Sequence, residues 1–159
     1  MNGCTVGGIG LRPGGEWPDL EPLIEQLYPA MYESIAAHSR RGINVVADTT
    51  YHDHYSRPMP LLSTCARLLG DLPVVVVGVK CPLHVVMERR QSTWGRGYDD
   101  GSIPEPIARW QDDVHVPGVY DMEVDTSLLR PEEAAELIRD RIATRPHGKA
   151  IGILASSTA

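Results

Sequence analysis

The sequence has little of what marks several protein classes. It contains no phenylalanine, and its three cysteines, Cys4, Cys65 and Cys81, lie far apart. Such cysteines fit neither a CxxC metal motif nor a disulfide framework, so we expect a reducing compartment. The first residues show no charged region followed by an apolar run, and no stretch is apolar enough over a sufficient length to span a bilayer. We therefore expect a cytoplasmic protein with no membrane partner.

Positive charge is also scarce. Lysine and arginine number 15 against 21 aspartate and glutamate residues, which gives a net charge of -6. Binding to nucleic acid depends on a basic surface, so we expect no nucleic-acid partner. An acidic protein can still bind a nucleotide through a few focused cations or backbone N–H groups. Net charge therefore argues against DNA and leaves ATP open.

Familiar catalytic motifs are missing as well. We find no GxSxG elbow, no HExxH motif and no dinucleotide-binding fingerprint after a strand. The glycine-rich run at residues 7–10 has no apolar strand before it and no Gly-Lys-Ser after it. Gly148-Lys149 lacks the required spacing. Neither segment is a Walker A phosphate-binding loop.

What is present is an alternation of helical and strand patterns. Residues 1–19 are rich in glycine and proline and are predicted to be a loop. Apolar spacing predicts helices at 20–41, 61–69, 82–91 and 107–115 and from 131 onward, and strands at 43–48, 73–79 and 120–125. The first helix is predicted to begin at an Asp19 cap, and its predicted apolar face consists of Leu20, Leu23, Ile24, Leu27, Met31, Ile35 and Ala36. The alternation predicts one α/β domain over residues 1–145, a three-layer sandwich with a mainly parallel sheet, followed by a tail at 146–159.

In such folds the site lies beyond the carboxyl ends of the strands, which singles out residues 48–57, 80–81 and 125–127. Asp48 follows a predicted buried strand, where a carboxylate binds Mg²⁺ through water or orients a substrate. A helix cap or turn residue is an equal alternative for Asp48.

Two further clusters contain side chains that could bind a metal or stabilise negative charge. His52, Asp53 and His54 would suit a metal-dependent hydrolase, but no distant cysteine or histidine has a recognisable spacing to them. Arg89, Arg90 and Arg96 lie in or near the glycine-rich residues 92–106 and resemble a cationic lid for phosphoryl transfer. The alternative is a solvated helix end.

Two strings match a known family. Val77-Gly78-Val79-Lys80-Cys81 comes first, and His115 with the run at 118–127, GVYDMEVDTS, comes second. Together they resemble the chloramphenicol phosphotransferase-like family, over roughly residues 7–142. That family is similar to nucleoside-monophosphate and shikimate kinases. The resemblance implies ATP and Mg²⁺ as cofactors and transfer of the γ-phosphoryl group to a hydroxyl of a small-molecule acceptor, chloramphenicol in the founding case.

The resemblance also implies residue roles. Asp48 matches an acidic position near the phosphates and the metal, so we assign it as catalytic and as the Mg²⁺ ligand. Arg96 matches a catalytic lid arginine, although the surrounding Trp-Gly-Arg-Gly departs from the usual Arg-Gly-Asp-Arg. Asp125 and Thr126 match a loop near the nucleotide base, and we assign Arg89 to the nucleotide as well.

The sequence departs from the family pattern in its N-terminal part. Family members begin with a strand, a Walker A loop, a helix and a second strand, and the 159 residues contain none of these. We therefore expect the C-terminal two-thirds of a P-loop phosphotransferase, a P-loop-kinase-like fold missing the first strand, P-loop and second strand. It would be active only with that segment supplied. The alternative is a non-catalytic remnant that binds a nucleotide or small molecule. Residues 150–155 could substitute for the missing central strand or form a frayed tail.

Overall fold

The computed structural model describes residues 18–50, 52–95, 97–98 and 100–157. Two compact units make up the chain. The first comprises the described residues up to Val74 and those from Ile151 onward, and the second comprises Val75–Ala150. The mixed α/β class with a parallel sheet is confirmed. The division into a domain at 1–145 and a tail at 146–159 stays a prediction.

Helices dominate the described residues. A 3₁₀ turn at Pro18–Leu20 leads into the first helix, so the predicted cap at Asp19 is wrong: the N-cap position falls at Leu20, with no side-chain cap. The elements in chain order are α1 Glu21–Ser39, α2 Leu61–Leu69, β1 Val77–Lys80, α3 Leu83–Trp94, α4 Glu105–Asp113, β2 Met122–Asp125, α5 Pro131–Thr144 and α6 Ala150–Ser156. No helix in this part of the chain combines the length and apolar character needed to cross a bilayer.

In the first unit α1 packs against α2. The buried stripe of α1 repeats every four residues, as expected for one face of a helix. It consists of Ile24, Tyr28, Tyr32 and Ala36, and α2 buries Leu61, Cys65, Ala66 and Leu69. The Asp53 carboxylate accepts a hydrogen bond from the Leu62 backbone N–H at 2.8 Å, which satisfies a donor at the start of α2.

This stripe differs from the predicted apolar face. Tyr28 and Tyr32 are buried, whereas Leu27 and Met31 stay 46% and 38% exposed. A tyrosine buries a large apolar ring when its hydroxyl finds a partner, so it competes with leucine for the core. The exposed Leu27 and Met31 are therefore available to contact something other than the core.

The strand predicted at 43–48 is wrong. These residues belong to no helix or strand and are all exposed, and Val46 is fully exposed. β-Branched residues favour a strand only when a neighbouring strand supplies hydrogen bonds and a packing surface. No described strand pairs with this segment.

The second unit contains a parallel pair of strands. Val77 lies opposite Met122, and Lys80 lies opposite Asp125 at the other end. Met87 and Val124 are buried in this unit, with 0% and 3% of their surface exposed. The strands predicted at 73–79 and 120–125 are confirmed with shorter bounds.

The two strings noted in the sequence contact each other here. A Cβ built on Gly78 would lie 2.7 Å from Cδ2 of the Tyr120 ring, so only glycine fits under this ring. The Tyr120 hydroxyl lies 2.6 Å from His115 Nδ1, and Lys80 Nζ lies 2.7 Å from a Glu123 carboxylate oxygen. The residues of the two strings are thus structural partners across the strand pair.

Replacing Gly78 by alanine should therefore destabilise the protein by about 1–3 kcal/mol, because the methyl group overpacks against the Tyr120 ring. Urea unfolding measures the loss. Gly70→Ala is the matched control, since its Cβ would meet only backbone oxygens at 3.7 Å and beyond. Adding Tyr120→Leu to Gly78→Ala should recover part of the loss. Equal stability of the two alanine variants would contradict this account.

The residues at 150–155 form neither a strand nor a frayed tail. They lie in α6, which buries Ala150, Ile151 and Leu154. The helix begins where the Asp121 carboxylate accepts the N–H groups of Lys149 and Ala150, at 2.6 Å and 3.1 Å. Capping and burial of one face explain why an apolar stretch that could have been a strand is helical.

Candidate functional site

Asp48 lies beside a cavity in the first unit. The cavity has a volume of about 230 Å³, which suits a small molecule or part of one. Its walls are formed by helix α1 and the segment that follows it. The lining residues are Ile24, Leu27, Tyr28, Met31, Asp48, Thr49 and Thr50.

The wall from α1 is mostly apolar. Leu27 and Met31, two of the residues that the sequence predicted for the core, contact this cavity instead. Ile24 forms its most buried part, with 1% of its surface exposed. A wall of this kind binds the apolar body of a ligand and leaves recognition of polar groups to the opposite side.

The segment after α1 contributes the hydroxyl groups of Thr49 and Thr50 and the carboxylate of Asp48. Tyr32 Oη lies 3.2 Å from Thr49 Oγ1, and the Tyr28 side chain hydrogen-bonds that of Thr50. Burial first, and then Tyr32, raises the pKa of Tyr28 to about 12, so this phenol is neutral at pH 7. Tyr28 can therefore donate and accept hydrogen bonds, but it does not supply a base.

Asp48 is the exposed carboxylate of this wall. The residue is exposed, and no described residue donates a hydrogen bond to its carboxylate. Proteins bind Mg²⁺ through one or two carboxylates together with substrate phosphates and water. A single open carboxylate fits that role, and no described cluster of three histidine, cysteine, aspartate or glutamate residues offers a self-contained metal site.

The suggested metal cluster at 52–54 serves the fold instead. His52 is 1% exposed and stacks on Tyr55 with ring centroids 4.3 Å apart. Its Nδ1 accepts a hydrogen bond from the His54 backbone N–H at 3.2 Å, and Asp53 is engaged at the start of α2. These contacts give no support to a metal-dependent hydrolase.

Burial also keeps two other ionisable side chains near this cluster protonated. Desolvation raises the pKa of the Cys65 thiol to about 12 and raises the pKa of Tyr55 well above its ordinary value. Glu21, 4% exposed, accepts hydrogen bonds from the Ser56 backbone N–H at 2.8 Å and from its hydroxyl at 2.5 Å. Cys65 is therefore a core residue rather than a nucleophile.

The second unit brings three predicted nucleotide residues together. The Arg89 guanidinium donates to the Thr126 hydroxyl at 3.2 Å and to the Thr126 carbonyl. The Thr126 hydroxyl in turn donates to the Lys80 carbonyl at 3.1 Å. The Ser127 hydroxyl and backbone N–H, and then Arg89, hold the pKa of Asp125 below its ordinary value. These contacts fix the loop after β2, and its role in nucleotide binding stays a prediction.

The predicted lid is described only in part. Arg96 lies outside the described residues. Arg90 stacks over the Trp94 ring at 5.1 Å, and α3 ends at Gly95, whose φ is +63°. Asp48 belongs to the first unit, and Arg89, Asp125 and Thr126 belong to the second.

Sequence reasoning missed Tyr28, which lines the cavity, and Tyr32, which hydrogen-bonds Thr49. Tyr28 and Tyr32 were not counted in the apolar pattern of the first helix, although they follow Ile24 at four-residue spacing. Counting aromatic residues with a polar tip as core candidates would have found them.

A comparison with known proteins identifies the family of this chain. A family model described as chloramphenicol phosphotransferase-like protein matches residues 4–143, which is most of the chain. No curated protein and no solved structure matches it. The matched region contains both units' candidate residues, including Asp48, Arg89 and Thr126. The chain therefore belongs to the chloramphenicol phosphotransferase-like family.

Proposed function

We propose that this protein takes part in ATP-dependent transfer of a phosphoryl group to a hydroxyl of a small molecule. The observation that carries the proposal is the position of Asp48, an open carboxylate at the edge of a mainly apolar cavity. Family membership supplies the reaction class. Cytoplasmic location and a small-molecule acceptor, rather than nucleic acid or a membrane, belong to the same proposal.

In this proposal the cavity holds the acceptor. Ile24, Leu27 and Met31 contact its apolar body, and the acceptor hydroxyl is directed toward Asp48. The acceptor oxygen forms a bond to the γ-phosphorus, the bond between that phosphorus and the ADP oxygen breaks, and the hydroxyl proton leaves to a base or to water. Asp48 orients the hydroxyl or holds Mg²⁺, which neutralises charge on the phosphates when bound.

In this proposal, the residues that bind the nucleotide belong to the second unit. Arg89, Asp125 and Thr126 would hold the nucleotide, and Arg96 would stabilise charge that develops on the transferred group. A Walker A loop normally supplies a nest of backbone N–H groups and one lysine for the terminal phosphates. The 159 residues contain no such sequence, so we propose that transfer requires a Walker A segment supplied in addition.

A direct assay tests this proposal. The 159-residue chain and the product of its reading frame extended upstream of Met1 are each incubated with Mg²⁺, ATP and chloramphenicol, and phosphorylated product is followed by ³¹P NMR. We expect transfer only by a product that contains a Gly-x-x-x-x-Gly-Lys-Ser/Thr sequence.

The remaining outcomes separate the alternatives. Transfer by the 159-residue chain alone would disprove the need for a Walker A segment. Binding of ATP in calorimetry without transfer by either form would favour the second candidate, a non-catalytic binding remnant of the family.

A further inference from the structure

The segment that carries Asp48 lacks regular backbone support. Residues 43–50 belong to no helix or strand, and residues 43–48 are exposed. A carboxylate on such a segment has no fixed position unless side chains restrain its neighbours. A site group must nevertheless be held within about half an ångström of its working position to act efficiently.

Two side-chain hydrogen bonds supply this restraint. Tyr32 Oη lies 3.2 Å from Thr49 Oγ1, and the Tyr28 side chain hydrogen-bonds Thr50. The two threonines directly follow Asp48. They are thus held by hydroxyl groups that lie one helical turn apart on the same face of α1.

The tyrosines are themselves fixed. They are 7% and 5% exposed and lie within the buried stripe of α1 that packs against α2. Buried rings in a helix–helix interface have little freedom to move. The two bonds therefore connect a segment without regular structure to buried residues of α1.

We propose that Tyr28 and Tyr32 are positioning residues, which orient Asp48 at the cavity through their hydrogen bonds to Thr50 and Thr49. The inference rests on the proposed function, since it concerns the same acceptor site. It adds that transfer depends on two phenol hydroxyls that do not touch the reacting atoms.

The first measurement needs no activity. Order parameters from ¹⁵N relaxation are measured for the 159-residue chain and for Tyr32→Phe, which removes only the hydroxyl and keeps the ring in the core. We expect the order parameters of residues 48–50 to fall from about 0.85 to below about 0.6, while those of α1 and α2 stay unchanged. Tyr120→Phe, which removes a phenol hydroxyl in the second unit, is the matched control and should leave residues 48–50 as they are.

The threonine side supplies an independent variant. Thr49→Val keeps the shape and removes the hydroxyl, so it should reproduce Tyr32→Phe, whereas Thr49→Ser should behave like the original chain. The double variant Tyr32→Phe/Thr49→Val should leave residues 48–50 no less ordered than either single variant, because both substitutions break the same Tyr32–Thr49 hydrogen bond. Additive effects, or unchanged order at residues 48–50 in both single variants, would overturn the inference.

A kinetic readout separates positioning from loss of structure. In the form that transfers phosphate, Tyr32→Phe should lower kcat about tenfold or more with little change in KM for the acceptor, because the cavity wall is intact while Asp48 is misplaced. An increase in KM alone would contradict a positioning role. If no form transfers phosphate, the proposed function fails, and the order parameters still decide whether the tyrosines restrain the segment.

Discussion

Replacing Asp121 by asparagine should lower the free energy of unfolding by about 3 kcal/mol. The Asp121 side chain is 5% exposed. One of its oxygens accepts the Val76 backbone N–H at 2.9 Å, and the other accepts those of Lys149 and Ala150. An asparagine amide has one oxygen and one NH₂ group, so in either orientation at least one backbone N–H faces another donor. A buried donor left without an acceptor costs about 1–3 kcal/mol, and loss of the charge weakens the bonds that remain.

Chemical denaturation with urea, monitored by circular dichroism, measures this loss. Asp71→Asn is the matched control, because Asp71 is an exposed aspartate whose partner is Arg40 at 3.0 Å. Exposed ion pairs contribute little, so the control should unfold at the same urea concentration as the original chain. Similar midpoints for the two variants would show that the Asp121 bonds do not stabilise the fold.

The same carboxylate makes stability depend on pH. Burial raises the pKa of Asp121, but the backbone N–H groups of Val76, Lys149 and Ala150, with Arg141, outweigh it and leave the pKa below its ordinary value. A depressed pKa contributes stability that is fully present above the unfolded value, about 3.9, and that is lost as the pH falls through the folded value. Asp121→Asn should therefore flatten the loss of stability below about pH 4.

Local features of the fold were predictable from the sequence. Helices α1, α2 and α5 follow from apolar spacing, and Gly70 stands at the end of α2, where a glycine is expected to stop a helix. The parallel strand pair follows from the β-branched run and the string that ends at Asp125. Each of these signals lies within its own segment of the sequence, so it can be interpreted without knowledge of distant contacts.

The structural features that the sequence did not predict depend on contacts with residues elsewhere in the chain. The run at 43–48 has the composition of a buried strand, but its state is decided by whether another strand lies beside it. The stretch at 150–155 is equally ambiguous, and the Asp121 carboxylate, 28 residues before Lys149, helps to start a helix there. Sequence periodicity gives the preference of a segment and cannot identify the residue that caps it or the strand that pairs with it.

The candidate site was likewise predictable from the sequence only in part. Asp48 could be named from its place after an apolar run and from the family resemblance. The cavity beside it could not, because Leu27 and Met31 have the pattern of core residues and become cavity walls only when Tyr28 and Tyr32 take the core positions. Which apolar residues of α1 line the cavity depends on how the helix packs against α2, and the sequence of α1 does not contain that information.

In the form that transfers phosphate, Asp48→Asn should lower kcat by about 10²–10³-fold, the loss typical when one preorganised charge-stabilising group is removed. Asparagine keeps the size of the side chain but cannot hold Mg²⁺ or orient a hydroxyl with a full negative charge. Because Asp48 is exposed, urea unfolding should be unaffected, which separates this loss from misfolding. Glu25→Gln, an exposed carboxylate paired with Arg57 at 2.6 Å, is the control and should retain full activity. Initial rates at increasing Mg²⁺ should show that the variant needs more metal. Retention of more than about a tenth of the activity would remove Asp48 from the reaction and leave the cavity as a binding site only.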